Sequence, residues 1–220
     1  MSEFIVHSIP GSPYGRAVFA ILEEKGAAYR LSPVATGGGT KVEPHISRHP
    51  FGRIPVLDHG GFTLYETAAI LRYLDRVLPA PALTPTDPRL AARMDQVMNI
   101  ADWYLFQGVG NVIGFQRLVL PRLRGLPADE AVIADAMPKA HAVINELSRL
   151  LGTQSYFAGD ALSLADIAVA PHLDFLAQTP EWAALTAQNG NIAAWLARIG
   201  ARPSFQATTW EKLAELAKAG

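Results

Sequence analysis

Residues 51–61 read FGRIPVLDHGG, and the fold turns on how Pro55 is read. Pro55 stands between Ile54 and Val56-Leu57, where an apolar strand begins. The pair Gly60-Gly61 supplies a two-residue turn, and FTLYE follows, so the alternation predicts a hairpin with Val56–Asp58 against Phe62–Tyr65. A proline cannot donate to a ladder, so it opens a strand or sits at an edge or bulge. Two readings stand at this point. Pro55 is a plain strand opener, or its peptide bond is cis and turns the Ile54 backbone groups outward to bind something.

Working outward, the first 80 residues mix periods and the rest is helical. EFIVHS and YRLSPV read as strands. Between them GRAVFAILEEKG puts Val18, Ile21 and Leu22 on one helical face, with Gly26 as the stop. TGGGT (36–40) reads as a flexible loop and KVEPHISRHP as a short irregular helix ended by Pro50. After the hairpin, Thr67 begins a helix with apolar positions Ile70, Tyr73, Leu74, Val77 and Leu78. The order β-α-β, crossover, β-β-α is that of a thioredoxin-like α/β domain. The proline-rich stretch PAPALTPTDPR (79–89) reads as a linker. Long amphipathic segments follow, broken near RGLPAD, GTQSYFAGD and NGN. The expected organisation is therefore a thioredoxin-like domain over 1–79, a linker over 80–90, and an all-helical C-terminal domain over 91–220.

Composition narrows the function classes. The 220 residues are half apolar with a formal net charge of −1, enough for a sizeable core and without a basic stripe for nucleic acid or a membrane surface. The start MSEFIVHSIPGSP is not a signal peptide, and no apolar run reaches the length of a membrane span, so a cytoplasmic location is expected. There are no cysteines, which removes disulfides and protein-thiolate chemistry.

Three constellations carry chemistry. In IPGSPYGR (9–16), Ser12 precedes a helix. Its hydroxyl is either an N-cap or, with the positive helix end, a stabiliser of a thiolate or other anion. No His-Asp partners and no G-x-S-x-G elbow accompany it, so an acyl-transfer serine is not indicated. In LYETAAI (64–70), Glu66 and Thr67 sit at a helix mouth. They cap the helix, or they bind a carboxylate and an ammonium together, as on an amino-acid head group. In LSLADIAVAP (162–171), Ser163 and Asp166 have capping-box spacing and are read as structural. His45 and His49 lack the companions a metal needs, and Gly108 and Gly110 follow no strand, so neither a metal nor a dinucleotide is indicated. Phe106, Val109, Ile113 and Phe115 are core by default, with one or two available to line a small-molecule pocket.

Taken together, SRHPFGRIPVLDHGGFTLYETAAILRYLD, IPGSPYGRAVFAILEEKG and GDALSLADIAVAPHLDFL resemble the glutathione transferase family across essentially the whole chain. The first two blocks look like the serine-type classes, phi, delta and theta, in the style of bacterial members. The resemblance implies a glutathione transferase in which Ser12, or alternatively Tyr14, activates the thiol of glutathione as co-substrate. It implies a cis Pro55, with Ile54 pairing its backbone to the cysteinyl part. Glu66 and Thr67 would hold the γ-glutamyl head, and Lys41 and Arg53 the glycyl end. Tyr14, Phe106 and Phe115 would face a hydrophobic electrophile. Phe51 would anchor a homodimer. No metal, nucleic acid or membrane is implied. A non-catalytic scaffold, or a glutathione-dependent peroxidase or isomerase on the same site, are the alternatives.

Overall fold

The structure is a computed structural model and describes residues 3–219. The chain divides into two compact units: residues up to Ala82 together with those from Ala201 onward, and Leu83–Gly200.

The first unit is built on four strands: β1 (Phe4–Ser8), β2 (Tyr29–Pro33), β3 (Val56–His59) and β4 (Phe62–Tyr65), in the order β2-β1-β3-β4. β1 runs parallel to β2, with Phe4 opposite Tyr29 and Ser8 opposite Pro33. β3 is antiparallel to both its neighbours, with His7 opposite Val56 and Val56 opposite Tyr65. Gly60 and Gly61 take φ of 58° and 85°, the conformation a two-residue hairpin turn demands and side chains resist. Helices α1 (Pro13–Glu24) and α3 (Thr67–Val77) pack together, Gly15 of α1 against Ser8 and Tyr73 of α3 bonded to His59. The short α2 (His45–Arg48) covers the other face, where Arg48 approaches Asp58. The core is Val6, Leu31, Val56 and Leu57 of the sheet, Val18, Ile21 and Leu22 of α1, and Ile70, Leu71 and Leu74 of α3. Leu71 takes the place that periodicity assigned to Val77, which is 40% exposed. α3 turns the Ile70-Leu71-Leu74 edge inward and leaves Arg76 and Val77 in solvent. The expected loop over 36–40 ends in a 3-10 turn, Gly39–Lys41.

The second unit is helical. Asp87 caps α4 (Pro88–Ile100), accepting the amides of Arg89 and Leu90 at 2.8 and 3.0 Å. The helical run continues through π-helical Ala101–Gly110, α5 (Asn111–Gly114), π-helical Phe115–Val119 and α6 (Leu120–Arg124). Gly125 ends it at φ 64°. Then come α7 (Glu130–Leu151), α8 (Leu164–Ala177), α9 (Trp182–Thr186) and α10 (Gly190–Gly200). α8 is buried nearly all round, as a central helix must be. At its start Asp166 accepts from the Ser163 amide and hydroxyl, the Phe157 amide and the Trp195 indole, at 2.7–3.0 Å.

Two boundaries differ from the sequence expectation. Within the proline-rich stretch, Pro88 already starts α4, and buried Leu83 accepts the Leu164 amide at 3.0 Å, so residues from 83 belong to the helical unit. At the other end, α11 (Pro203–Ala207) and α12 (Trp210–Ala219) group with the thioredoxin-like unit and not with the helices of 91–200. Arg202 forms two bonds of 2.7 and 2.8 Å to Glu24 of α1, and Ser204 bonds the same carboxylate.

Candidate functional site

The register of the sheet decides what can meet. Ser8 ends β1, Val56 starts β3 opposite His7, and Tyr65 ends β4 opposite Val56. The loop after β1, the segment before β3 and the turn after β4 therefore emerge at one end of the sheet. They carry Ser12, Ile54-Pro55, and Glu66-Thr67.

Ser12 is the N-cap of α1. Its Oγ accepts the Gly15 amide at 3.2 Å, and its own amide donates to Ile9 O at 3.1 Å. The oxygen is used in capping, but its hydrogen is not consumed by that bond, so the two readings of Ser12 are compatible. Helix and strand approach closely here because residue 15 is glycine. A Cβ on Gly15 would lie 2.1 Å from Ser8 Oγ, a buried hydroxyl with no hydrogen-bond partner among the described residues. Tyr14 stands in the first turn of α1, half-buried.

The Ile54–Pro55 bond is cis, the second of the two readings. Pro55 is buried and Ile54 half-buried, and the Ile54 amide and carbonyl make no hydrogen bond to the described residues. Two more cis bonds, at Pro44 and Pro81, had no sign in the sequence. Lys41 lies beside the same segment. Its Nζ donates to Phe51 O at 3.0 Å and its stem passes over Gly52, where a Cβ would meet Cδ at 2.7 Å. His45 Nε2 is 2.7 Å from Arg53 O, which ties α2 to the chain just before Ile54. Lys41 and Arg53 both present their side chains to solvent.

Glu66 is exposed and is the one described non-glycine residue with positive φ, at 71°. A side-chain-bearing residue there is strained by roughly 1–3 kcal/mol, the kind of conformation that clusters where ligands are held. Thr67 follows as the first residue of α3, an eleven-residue helix with its amide end open at this point.

Beneath these loops is a charge cluster that sequence reasoning missed. His7 Nε2 lies 2.8 Å from Asp58 Oδ2, and Thr63 donates to Asp58 Oδ1 at 2.5 Å. Burial pushes the His7 imidazole below its ordinary value, more strongly than the Asp58 contact raises it. Burial works to raise Asp58, but the Thr63 hydroxyl, His7 and Arg48 outweigh it and hold the carboxyl low. His49 is also pushed down, by burial first and then by the nearby positive charge. Alternation along β1 was the available signal, since His7 falls on the face away from Val6. A lone strand histidine has no distinctive spacing, so the sequence does not mark His7.

Phe51 is 63% exposed, its base steadied edge-on by His49 and Tyr65. Phe106 and Phe115 belong to the helical unit, half-buried on the π-helical run, with Phe106 tilted against His172 at 5.0 Å. Among the described residues no group of three His, Cys, Asp or Glu could hold a metal, and no helix is long and apolar enough to cross a membrane.

Two family models match: the glutathione S-transferase N-terminal domain over residues 11–77, and the glutathione S-transferase C-terminal domain over residues 130–198. The chain belongs to the glutathione transferase family. A probable glutathione S-transferase of Oryza sativa subsp. japonica, GSTF2, is 32% identical over 188 residues, 85% of this chain and 86% of that one. The structure of glutathione S-transferase III in apo form superposes with a TM-score of 0.83 at 30% identity, covering 97% of each chain. Glutathione S-transferase-I bound with lactoylglutathione gives 0.82 at 27% identity, covering 99% of this chain and 100% of that one. As a glutathione transferase the chain is an enzyme with a small mixed sheet followed by a helical domain, as the two models and the superpositions have it.

Proposed function

We propose that this glutathione transferase binds glutathione at the end of the sheet and uses Ser12 to hold its sulfur as the thiolate. The observation that carries the reading is the register. It gathers the Ser12 cap, the unpartnered Ile54 backbone and the strained Glu66-Thr67 helix mouth at one sheet end. A tripeptide with a backbone, a zwitterionic head and a thiol needs those three kinds of partner. Ile54 pairs with the cysteinyl backbone. Thr67 and the first amides of α3 take the γ-glutamyl carboxylate, and Glu66 takes its ammonium. Lys41 and Arg53 meet the glycyl carboxylate. The glutathione conjugate lactoylglutathione, bound by glutathione S-transferase-I, supports the assignment.

The chemistry follows from ionisation. A free thiol has a pKa of about 8.5, and each unit by which the site lowers it corresponds to about 1.4 kcal/mol of thiolate stabilisation. Ser12 donates its hydrogen to the sulfur while its oxygen accepts the Gly15 amide, and the amide end of α1 adds positive potential. The thiolate then attacks an electrophilic carbon of an apolar substrate, forming a C–S bond as the leaving group departs or the electron pair moves onto an acceptor.

The enzyme works as a homodimer. Phe51 is a fixed, exposed knob, and the helical unit carries an open cavity of about 540 Å³ lined by Ile100, Trp103, Tyr104, Ala142 and Val143. Trp103 and Tyr104 are 70% and 64% exposed, an apolar surface of the kind partners cover. Phe51 of each copy fills that cavity in the other.

Thiolate absorbance against pH, with glutathione bound, tests the site. Ser12→Ala is expected to raise the thiol pKa and to lower kcat at neutral pH about tenfold to a hundredfold, the worth of one charge-assisted hydrogen bond. A shift confined to Tyr14→Phe would transfer the role to Tyr14. No thiolate and no turnover in the unaltered enzyme would leave a scaffold.

A further inference from the structure

The loop carrying Ser12 is gripped from the far end of the chain. Gly11 has φ of 88°, and a Cβ on it would lie 2.5, 2.6 and 2.9 Å from Cε2, Cδ2 and Cζ2 of Trp210. The indole thus rests directly on the glycine backbone, one residue before Ser12, which only a residue without a side chain allows. Trp210 is half-buried and opens α12. Just before it, Phe205 O accepts from Arg16 Nη2 at 3.2 Å, and the Arg16 guanidinium lies 5.7 Å from the Phe205 ring centre. At the other end of α1, Glu24 takes Arg202 and Ser204. The last segment therefore clasps α1 at both ends, and its first contact beyond the helix is with Gly11.

We propose that Trp210 is a positioning residue for thiol activation: its indole fixes the Gly11 backbone and, through it, the direction of the Ser12 hydroxyl. This rests on the reading of Ser12 as the thiolate's donor. Glycine has the widest backbone freedom of any residue, so the turn closed by the Ser12 amide and Ile9 O needs an outside restraint to hold one geometry. A hydroxyl about 1 Å out of place can cost a hundredfold in rate. Trp210 does this without touching the sulfur.

The experiment titrates bound thiolate and measures steady-state kinetics for the full-length enzyme, Trp210→Ala, Trp210→Phe, Ser12→Ala and the double variant Ser12→Ala/Trp210→Ala. Trp210→Ala is expected to raise the thiol pKa part of the way that Ser12→Ala does. It should lower kcat at neutral pH about tenfold with less than about a twofold change in the KM for glutathione. Trp210→Phe should recover most of the loss, and the double variant should titrate like Ser12→Ala alone. Should Trp210→Ala fail to fold, Trp210→Leu takes its place, with exchange of the Gly11 and Ser12 amides expected to quicken. A normal titration in the Trp210 variants beside a shifted one in Ser12→Ala overturns the positioning role and leaves the site reading standing. An unshifted Ser12→Ala overturns both.

Discussion

Gly15 of α1 packs so closely on Ser8 of β1 that no side chain fits between them. A methyl group at residue 15 would stand 2.1 Å from the Ser8 hydroxyl oxygen. This contact sets the height of α1 above β1, and so where the Ser12 cap lies at the end of the sheet.

Gly15→Ala should therefore destabilise the fold by about 1–3 kcal/mol, despite alanine's better helix propensity, because the core there is overpacked. Ser8→Ala alone should be neutral or stabilising, since its Oγ is buried and has no partner among the described residues. Adding Ser8→Ala to Gly15→Ala should recover part of the loss, because Ser8 Cβ, at 3.1 Å, still crowds the new methyl. Urea midpoints of the three variants check this. Simple additivity of the two changes would remove the contact from the explanation.

Thr67→Ala should raise the KM for glutathione about three- to tenfold while kcat changes little. The hydroxyl contact is made in the ground state and kept in the transition state, and losing it costs about as much as one ordinary hydrogen bond. Initial rates over a range of glutathione concentrations give both constants. A fall in kcat at constant KM would move Thr67 away from the γ-glutamyl head.

Phe51→Ala should weaken the dimer by about 2 kcal/mol or more at each of its two symmetric contacts, about 4 kcal/mol in all and roughly a thousandfold in dissociation constant, by removing both aromatic anchors from their apolar cavities. Sedimentation at low protein concentration measures it. Ala142→Trp, which fills the cavity from its own wall, should weaken association in the same way, and unchanged association in both variants would place the interface elsewhere.

Acid should destabilise the fold below about pH 6.5, and His172 should be a principal cause. Burial drives its imidazole from the ordinary value of 6.5 down to about 3. Between those values the unfolded chain takes up a proton that the folded chain refuses, so stability falls by about 1.4 kcal/mol per pH unit of acidification. His7 and His49, also lowered chiefly by burial, act in the same direction. Unfolding free energies of the native chain and of His172→Gln, followed from about pH 7 to pH 4.5, should converge as pH falls. Parallel curves would mean that His172 does not refuse the proton.

What was legible in the sequence was what short stretches of chain settle among themselves. Gly60-Gly61 dictates a hairpin through backbone conformation. Val18, Ile21 and Leu22 share a helical stripe that must be buried. Ser163 and Asp166 stand one helical turn apart and can bond with no help from elsewhere, and Ser12 precedes its helix in the same way. Pro55 was narrower: local chemistry allowed two peptide isomers, and the folded chain carries the cis form. The rest was decided by packing between distant residues. Nothing near Gly11 announces Trp210, and nothing near Glu24 announces Arg202, because such pairs are chosen by shape and charge once the core has condensed. The C-terminal segment from Ala201 reads as one more amphipathic helical stretch, and periodicity reports that it has an apolar face without saying which surface that face will cover. The same holds for the π-helical turns at Ala101–Gly110 and Phe115–Val119, which local propensity does not distinguish from an ordinary helix.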